Sequence, residues 1–320
     1  MNDIEFAQQL KNERLLKNLL NDMKELIPYL EDDSVTDIAI PDSGEIIVTR
    51  FGKGRDFTGK FLSEIAVERI ILAEASLIGK QLESFTGFAV LEGIVPKYRA
   101  RFTAMMKPVL IRPEITIRKP SKIIRSLEQY RDEKEMTENQ YEIIVDSIKK
   151  RQNIIVSGAT GSGKTTFTNA IIKKMEELTP NDNFYIVEDT PELQCSARMK
   201  TMLWIPKEYA AKAVEESLRW SPDRIIFGEV RNAIVMKALL EAWNTGHSGN
   251  VTTIHANNAL STLKRIKSFI GNNELQLSDS IQLIVHLKRR LEGGTKINEV
   301  MPVQNETDNF LSLIESKNLG

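Results

Sequence analysis

Nine consecutive residues, Gly158-Ala159-Thr160-Gly161-Ser162-Gly163-Lys164-Thr165-Thr166, have the types and spacing that cradle a polyphosphate. They fit G-x-x-x-x-G-K-[ST] in full. The glycines let successive backbone N–H groups turn inward onto phosphate oxygens, and a helix starting behind them adds the positive end of its dipole. Lys164 has the reach for the β- and γ-phosphates, and the Thr165 hydroxyl can ligate Mg²⁺. The chemistry expected is binding of a nucleoside triphosphate with Mg²⁺.

The flanking sequence supplies the elements such a loop needs. Asn153 to Val156 reads as a buried strand, and Thr165 to Glu177 as a helix with Phe167, Ala170, Ile171 and Met175 at helical spacing. Two further apolar runs end in acids: Phe184–Val187 before Glu188-Asp189, and Arg224–Phe227 before Gly228-Glu229. Ligands of a doubly wound sheet bind at the carboxyl ends of its strands, so Glu188 and Glu229 are candidates for Mg²⁺ and for orienting water, with the two roles exchangeable. Gly228 stands where a metal-associated aspartate is usual, which leaves Glu229 in register. Val251–Ile254 ends in His255, a third strand-end candidate, whereas His286 falls inside an apolar run and reads as structural. Residues 207–220 and 233–244 read as helices, the second buried and capped by Asn232. A hairpin turning at Gly293-Gly294 closes the domain, and no function is legible in the 304–320 tail.

Upstream, residues 4–30 read as one helix ended or kinked by Pro28, and Pro41-Asp42-Ser43-Gly44 splits two short β-prone runs into a hairpin. A helix over 63–82 turns Ile65, Ile70, Leu77 and Ile78 inward. Strands follow at 98–105 and 114–118. In the first, Arg99, Arg101 and Thr103 alternate with Ala100, Phe102 and Ala104, giving one basic and one buried face. From Lys97 to Arg125 nine basic residues face the single acid Glu114, which is either a solvated face or a surface turned to phosphate. Thr137 and Gln140 form a capping-box pattern opening a helix. These readings divide the chain into an α+β N-terminal domain (1–118), a linker (119–136) and an α/β phosphate-loop domain (137–320).

The bulk numbers narrow the classes. A net charge of −1 argues against a wholesale nucleic-acid coat while leaving room for local charge segregation, and the lone Cys195 excludes an intramolecular disulfide framework; no direct sequence-specific nucleic-acid binding is expected. No apolar run reaches the ~20 residues that span a bilayer, so a cytoplasmic protein is expected.

Four blocks in this order resemble the secretion and traffic ATPases, the hexameric motors of bacterial secretion, conjugation and type IV pili. Gly158–Thr165 is similar to their Walker A box, Val187–Glu192 to their Asp box, Ser217–Arg231 to their Walker B box with its lead-in, and Thr245–Asn257 to their His box. The short N-terminal domain and the absence of a four-cysteine module resemble the type IV secretion and conjugation branch. The resemblance implies a RecA-like fold with a mainly parallel sheet and a homo-hexameric ring. It also implies ATP between the two domains near the next subunit, with partners in the secretion apparatus and a peripheral place at the inner membrane. Arg101 and Arg118 would complete the phosphate site, Arg112 being a third candidate. Arg219 and Arg231 would serve contacts between boxes, and His255 would sense the γ-phosphate. A pilus or type II secretion motor, a DNA translocase or helicase, and a non-hydrolysing scaffold are the alternatives.

Overall fold

The computed structural model describes residues 3–50, 53–80, 90–108, 110–120, 124–271, 277, 279–290 and 294–303, with side chains from residue 11 onward. The chain divides into two compact units, Met1–Lys122 and Ile123–Gly320.

The first unit is a six-stranded antiparallel sheet backed by helices. Its strands are β1 (Val35–Ile40), β2 (Glu45–Arg50), β3 (Gly54–Phe61), β4 (Leu91–Val95), β5 (Ala100–Met105) and β6 (Glu114–Arg118), in the spatial order β3-β2-β1-β6-β5-β4. The hairpin expected between β1 and β2 forms, with Gly44 in the left-handed region that its turn requires. The 4–30 segment is instead two helices, α1 (Asp3–Asp22) and α2 (Ile27–Glu31). Pro28 sits in the first turn of α2, where its missing N–H costs nothing. In α3 (Glu64–Leu77), Ile70 is fully buried but Ile65 is 69% exposed, because it lies in the first turn on the outer side. Strand β5 alternates as expected, although Arg99 precedes it with a positive φ of 50°.

The second unit is built on seven strands: β7 (Ile154–Gly158), β8 (Asn183–Glu188), β9 (Met199–Trp204), β10 (Arg224–Val230), β11 (Val251–Ile254), β12 (Leu283–Arg289) and β13 (Thr295–Pro302). Their order is β13-β12-β7-β11-β10-β8-β9, parallel throughout except that β13 returns antiparallel to β12. Helices α4 (Leu127–Asp132), α5 (Glu138–Lys149) and α6 (Lys164–Leu178) supply the core on one face. Helices α7 (Ala210–Ser217), α8 (Ala233–Trp243) and α9 (Ala259–Ile270) supply it on the other. Every residue of β7 is buried, and its side chains divide between the two cores: Ile154 and Val156 to one, Ile155 to the other. That two-sided burial is why parallel strands read as unbroken apolar runs.

The 119–136 stretch, expected as a linker, carries α4 over residues 127–132. Ser126 and Gln129 form a reciprocal capping box, and Leu127 and Tyr130 enter the core, so residues 124–136 belong to the second unit, while Lys119 donates to the Tyr29 and Asp32 carbonyls of the first. The Thr137–Gln140 capping box is also formed. Below the sheet, the fully buried Arg224 donates to Asp182 (2.7 Å), to Thr179 (3.1 Å) and to the Gly249 carbonyl. Arg151 reaches the other oxygen of Asp182 at 2.7 Å. Among the described residues no helix is long and apolar enough to cross a membrane. Gly293 and the 304–320 tail lie outside the described residues.

Candidate functional site: a phosphate loop facing three strand ends

Strand β7 ends at Gly158 and α6 begins at Lys164, so the loop between them hangs at the carboxyl edge of the parallel strands. Gly163, with φ at 87°, precedes the first helical turn. A Cβ there would lie 2.4 Å from Thr295 Oγ1, which itself donates to the Ser162 carbonyl at 3.0 Å. A Cβ on Gly158 would lie 2.6 Å from the Leu287 carbonyl oxygen. Both positions therefore need glycine for close approach of β12 and β13. No side chain caps α6. Its first-turn N–H groups are left for an anion, which is the arrangement a phosphate requires. Ala159, Thr160 and Gly161 form the outer bend, and Thr165 and Thr166 follow Lys164 on the first turn.

From Lys164 a line of polar and charged side chains crosses three strand ends. Its ammonium lies 3.1 Å from His255 Nδ1 and also donates to the carbonyls of Gly158 (3.2 Å) and Ala159 (3.0 Å). His255 Nε2 sits 2.5 Å from Glu229 Oε1, a close electrostatic contact rather than an aligned hydrogen bond. The other oxygen of Glu229 accepts from Arg231 at 2.7–2.8 Å, and Arg231 reaches Asp189 at 2.6 Å. A bulge makes the middle of this line possible. The pairing of β10 with β11 steps from Phe227↔Thr252 to Glu229↔Thr253, leaving Gly228 over. The hydroxyls of Thr252 and Thr253 hold the carbonyls of Phe227 and Gly228 at 2.7 Å each. Such a bulge re-aims the following side chain. A Cβ on Gly228 would come within 3.0 Å of Glu188 Cβ, which accounts physically for glycine at this position.

Glu188 is not part of that line. It is buried, and its carboxylate is fully used: Oε2 accepts from the Glu192 and Leu193 amides at 2.9 Å each, and Oε1 from the Trp204 indole at 3.1 Å. Burial pushes it up to about 7 despite those donors. The carboxylate folds the loop after β8 back on itself, and its neighbour Asp189, missed in the sequence, is the acid that joins the charged line. Arg231 does bridge two boxes, whereas Arg219 pairs, among the described residues, only with Glu216 on its own helix turn, at 3.0 Å. His286 is buried with Nδ1 3.1 Å from Ser157 Oγ, and burial lowers its pKa, as expected of a structural histidine.

In the other unit, Arg101 and Arg118 stand opposite each other across β5 and β6. Arg101 is tied to Glu92 at 2.9 Å, and Arg112 donates to the Asp42 carbonyl at 3.4 Å. Much of the basic run is likewise engaged: Lys97 with Glu31, Lys107 with Glu64, and Arg125 with Glu133 and Glu135.

A family model described as Type II/IV secretion system protein matches residues 21–313. The chain belongs to the type II/IV secretion system protein family. A conjugal transfer protein TrbB of Rhizobium radiobacter is 34% identical over 310 residues, spanning 95% of this chain and 94% of that protein. A type IV secretion system protein VirB11 of Bartonella quintana is 32% identical over 172 residues, 48% of this chain and 47% of that one. The fold is shared with the crystal structure of the pilus retraction motor PilT with bound ADP. There the TM-score is 0.67 at 20% identity, with 93% of this chain and 89% of that one covered. The α/β architecture expected from the secretion-family resemblance is thus the one found.

Proposed function

We propose that this secretion-family protein binds ATP in the 158–166 cradle and hydrolyses it to drive assembly of, or transfer through, a type IV secretion or conjugation apparatus. The observation that carries the reading is the alignment of Lys164, His255 and Glu229 at the mouth of the phosphate loop. The choice of apparatus is supported by the TrbB and VirB11 relatives.

Within this reading the loop N–H groups and Lys164 hold the β- and γ-phosphates. Glu229 orients the attacking water and takes up its proton as the oxygen bonds to the γ-phosphorus. The bond to the bridging oxygen then breaks, leaving ADP and phosphate. Glu229 is preferred to Glu188 for this role because every Glu188 oxygen is already engaged by donors of its own loop and Trp204. His255, between the ammonium and the carboxylate, transmits a shift of Lys164 to Glu229. Among the described residues no group of three or more His, Cys, Asp or Glu side chains is arranged to hold a metal. Mg²⁺ is usually held by few protein ligands together with substrate phosphates, and Thr165, next to Lys164 on the first turn of α6, would be the protein ligand. When bound, Mg²⁺ neutralises charge on the phosphate oxygens. Arg101 and Arg118 are proposed to supply further guanidinium charge in an assembled homo-hexamer working at the cytoplasmic face of the inner membrane.

Phosphate release by the full chain, measured alongside particle mass with and without nucleotide, tests the reading. Turnover that rises as a ring assembles supports it. An assembled ring that binds ATP without turnover would leave the non-hydrolysing scaffold in its place.

A further inference from the structure

Beside the phosphate loop lies an open hollow of about 470 Å³ in which the loop and His255 meet side chains that no role above uses. Thr160 lines it from the loop, His255 and Asn257 from the end of β11, and Ser261 and Arg265 from α9. None of the lining side chains is a carboxylate. Arg265 gives one N–H to the His255 carbonyl at 3.0 Å and lies over the Phe269 ring at 5.6 Å. No other hydrogen bond or ion pair reaches its guanidinium among the described residues, and the side chain is exposed, so most of its five donors are open to solvent and to an anion entering the hollow. The Thr160 and Ser261 hydroxyls and the Asn257 amide also hold no side-chain partner among the described residues. A fork-shaped cation with two hydroxyls, an amide and no carboxylate is a donor set for a tetrahedral oxyanion. At ~30 Å³ per water, the volume admits a phosphate ion with its first hydration shell.

We propose that this cavity binds free inorganic phosphate, with Arg265 as its anchor, and that the ion passes here after leaving the Lys164 end of the loop. The proposal rests on the hydrolysis reading for the origin of the phosphate, not for the existence of the site. Because the anchor is hydrogen-bonded to the His255 backbone, phosphate in the cavity is felt by the residue between Lys164 and Glu229. Release of product is thereby linked to the geometry of the hydrolytic line.

The test uses the full-length protein loaded with ADP, and inorganic phosphate as the probe. Phosphorus NMR line broadening reports binding without turnover, and product inhibition of the ATPase reports it during turnover. Arg265→Gln is expected to weaken phosphate by about tenfold or more in both, with ADP affinity changed less than about twofold. Arg265→Lys, which keeps the charge but not the fork, falls between, and Ser261→Ala gives a smaller loss in the same direction. A role limited to bracing the His255 backbone would not move phosphate affinity, so equal phosphate binding by wild type and Arg265→Gln overturns the proposal. Loss of ATP affinity in Arg265→Gln with phosphate binding intact also overturns it, since the cavity would then serve the γ-phosphoryl of bound ATP. A wild type that never turns over ATP sinks the hydrolysis reading alone, and the NMR result still decides the site.

Discussion

His255 Nε2 lies 2.5 Å from Glu229 Oε1 although the two residues close different strands, β11 and β10. The single surplus residue Gly228 brings them together, since it shifts the register between those strands just before Glu229. The imidazole is then held on its other side by Lys164 at 3.1 Å. Any movement of that ammonium onto a phosphate changes what His255 faces, and through it what Glu229 faces.

His255→Ala is expected to lower kcat by about 10²-fold, because Glu229, the proton acceptor, loses the side chain that links it to Lys164. ATP binding should change little, because the loop N–H groups and Lys164 remain. Steady-state kinetics with a separate nucleotide-binding titration checks the split, and a pure rise in KM would contradict it.

The phosphate-loop domain was legible because β7, β8, β10 and β11 are buried on both faces, so each reads as an apolar run ending in a chemical residue. Strand β3, Gly-Arg-Asp-Phe-Thr-Gly-Lys-Phe, escaped notice because it is exposed along most of its length and lacks an alternating pattern. Strand β9 is an edge strand with no fully buried residue. Helix α4 and helix α9 did carry signals, namely the Ser126–Gln129 capping pattern and Asn258 ahead of Leu263 and Ile266. The first was hidden by the charged residues around it. What no sequence pattern reveals is which of two strand-end glutamates is already occupied. Glu188 and Glu229 look equivalent until Trp204 and the 192–193 amides are seen closing on one of them.

Asp182 binds Arg224 and Arg151 beneath the sheet, far in sequence from either. Burial raises its pKa, but the Thr179 hydroxyl and the two guanidinium groups outweigh that and hold it below the usual 3.8. Its folded value is below its unfolded one, so its contribution is complete above 3.8 and is lost as pH falls toward the folded value. Asp182→Asn is expected to destabilise the second unit by about 3 kcal/mol at neutral pH, by leaving a buried arginine without its counter-charge. Denaturant unfolding of the variant against wild type at pH 7 measures this.

Glu74 is a different case, fully buried in the first unit with neither oxygen in a hydrogen bond of ordinary geometry among the described residues. Burial pushes it up from 4.5 to about 7, and the nearby Ile94 amide offsets this only in part. A raised folded value means that the stabilising contribution is present below pH 4.5 and lost as pH rises through 7. The full span, from 4.5 to about 7, corresponds to about 3.5 kcal/mol at roughly 1.4 kcal/mol per pKa unit. Glu74→Gln should therefore flatten the pH dependence of unfolding between pH 5 and 8 and exceed wild type in stability at the alkaline end. A parallel pH profile in the two proteins would contradict this.

Single-turnover cleavage of ATP by Glu229→Gln and Glu188→Gln, each with its ATP affinity measured, tests the assignment at the centre of this account. The expected result is ATP binding retained and cleavage slowed by about 10²-fold or more in Glu229→Gln. Glu188→Gln should instead keep cleaving while losing thermal stability, since it holds the loop after β8. Cleavage abolished by Glu188→Gln in a stably folded protein, with Glu229→Gln near wild type, would contradict it.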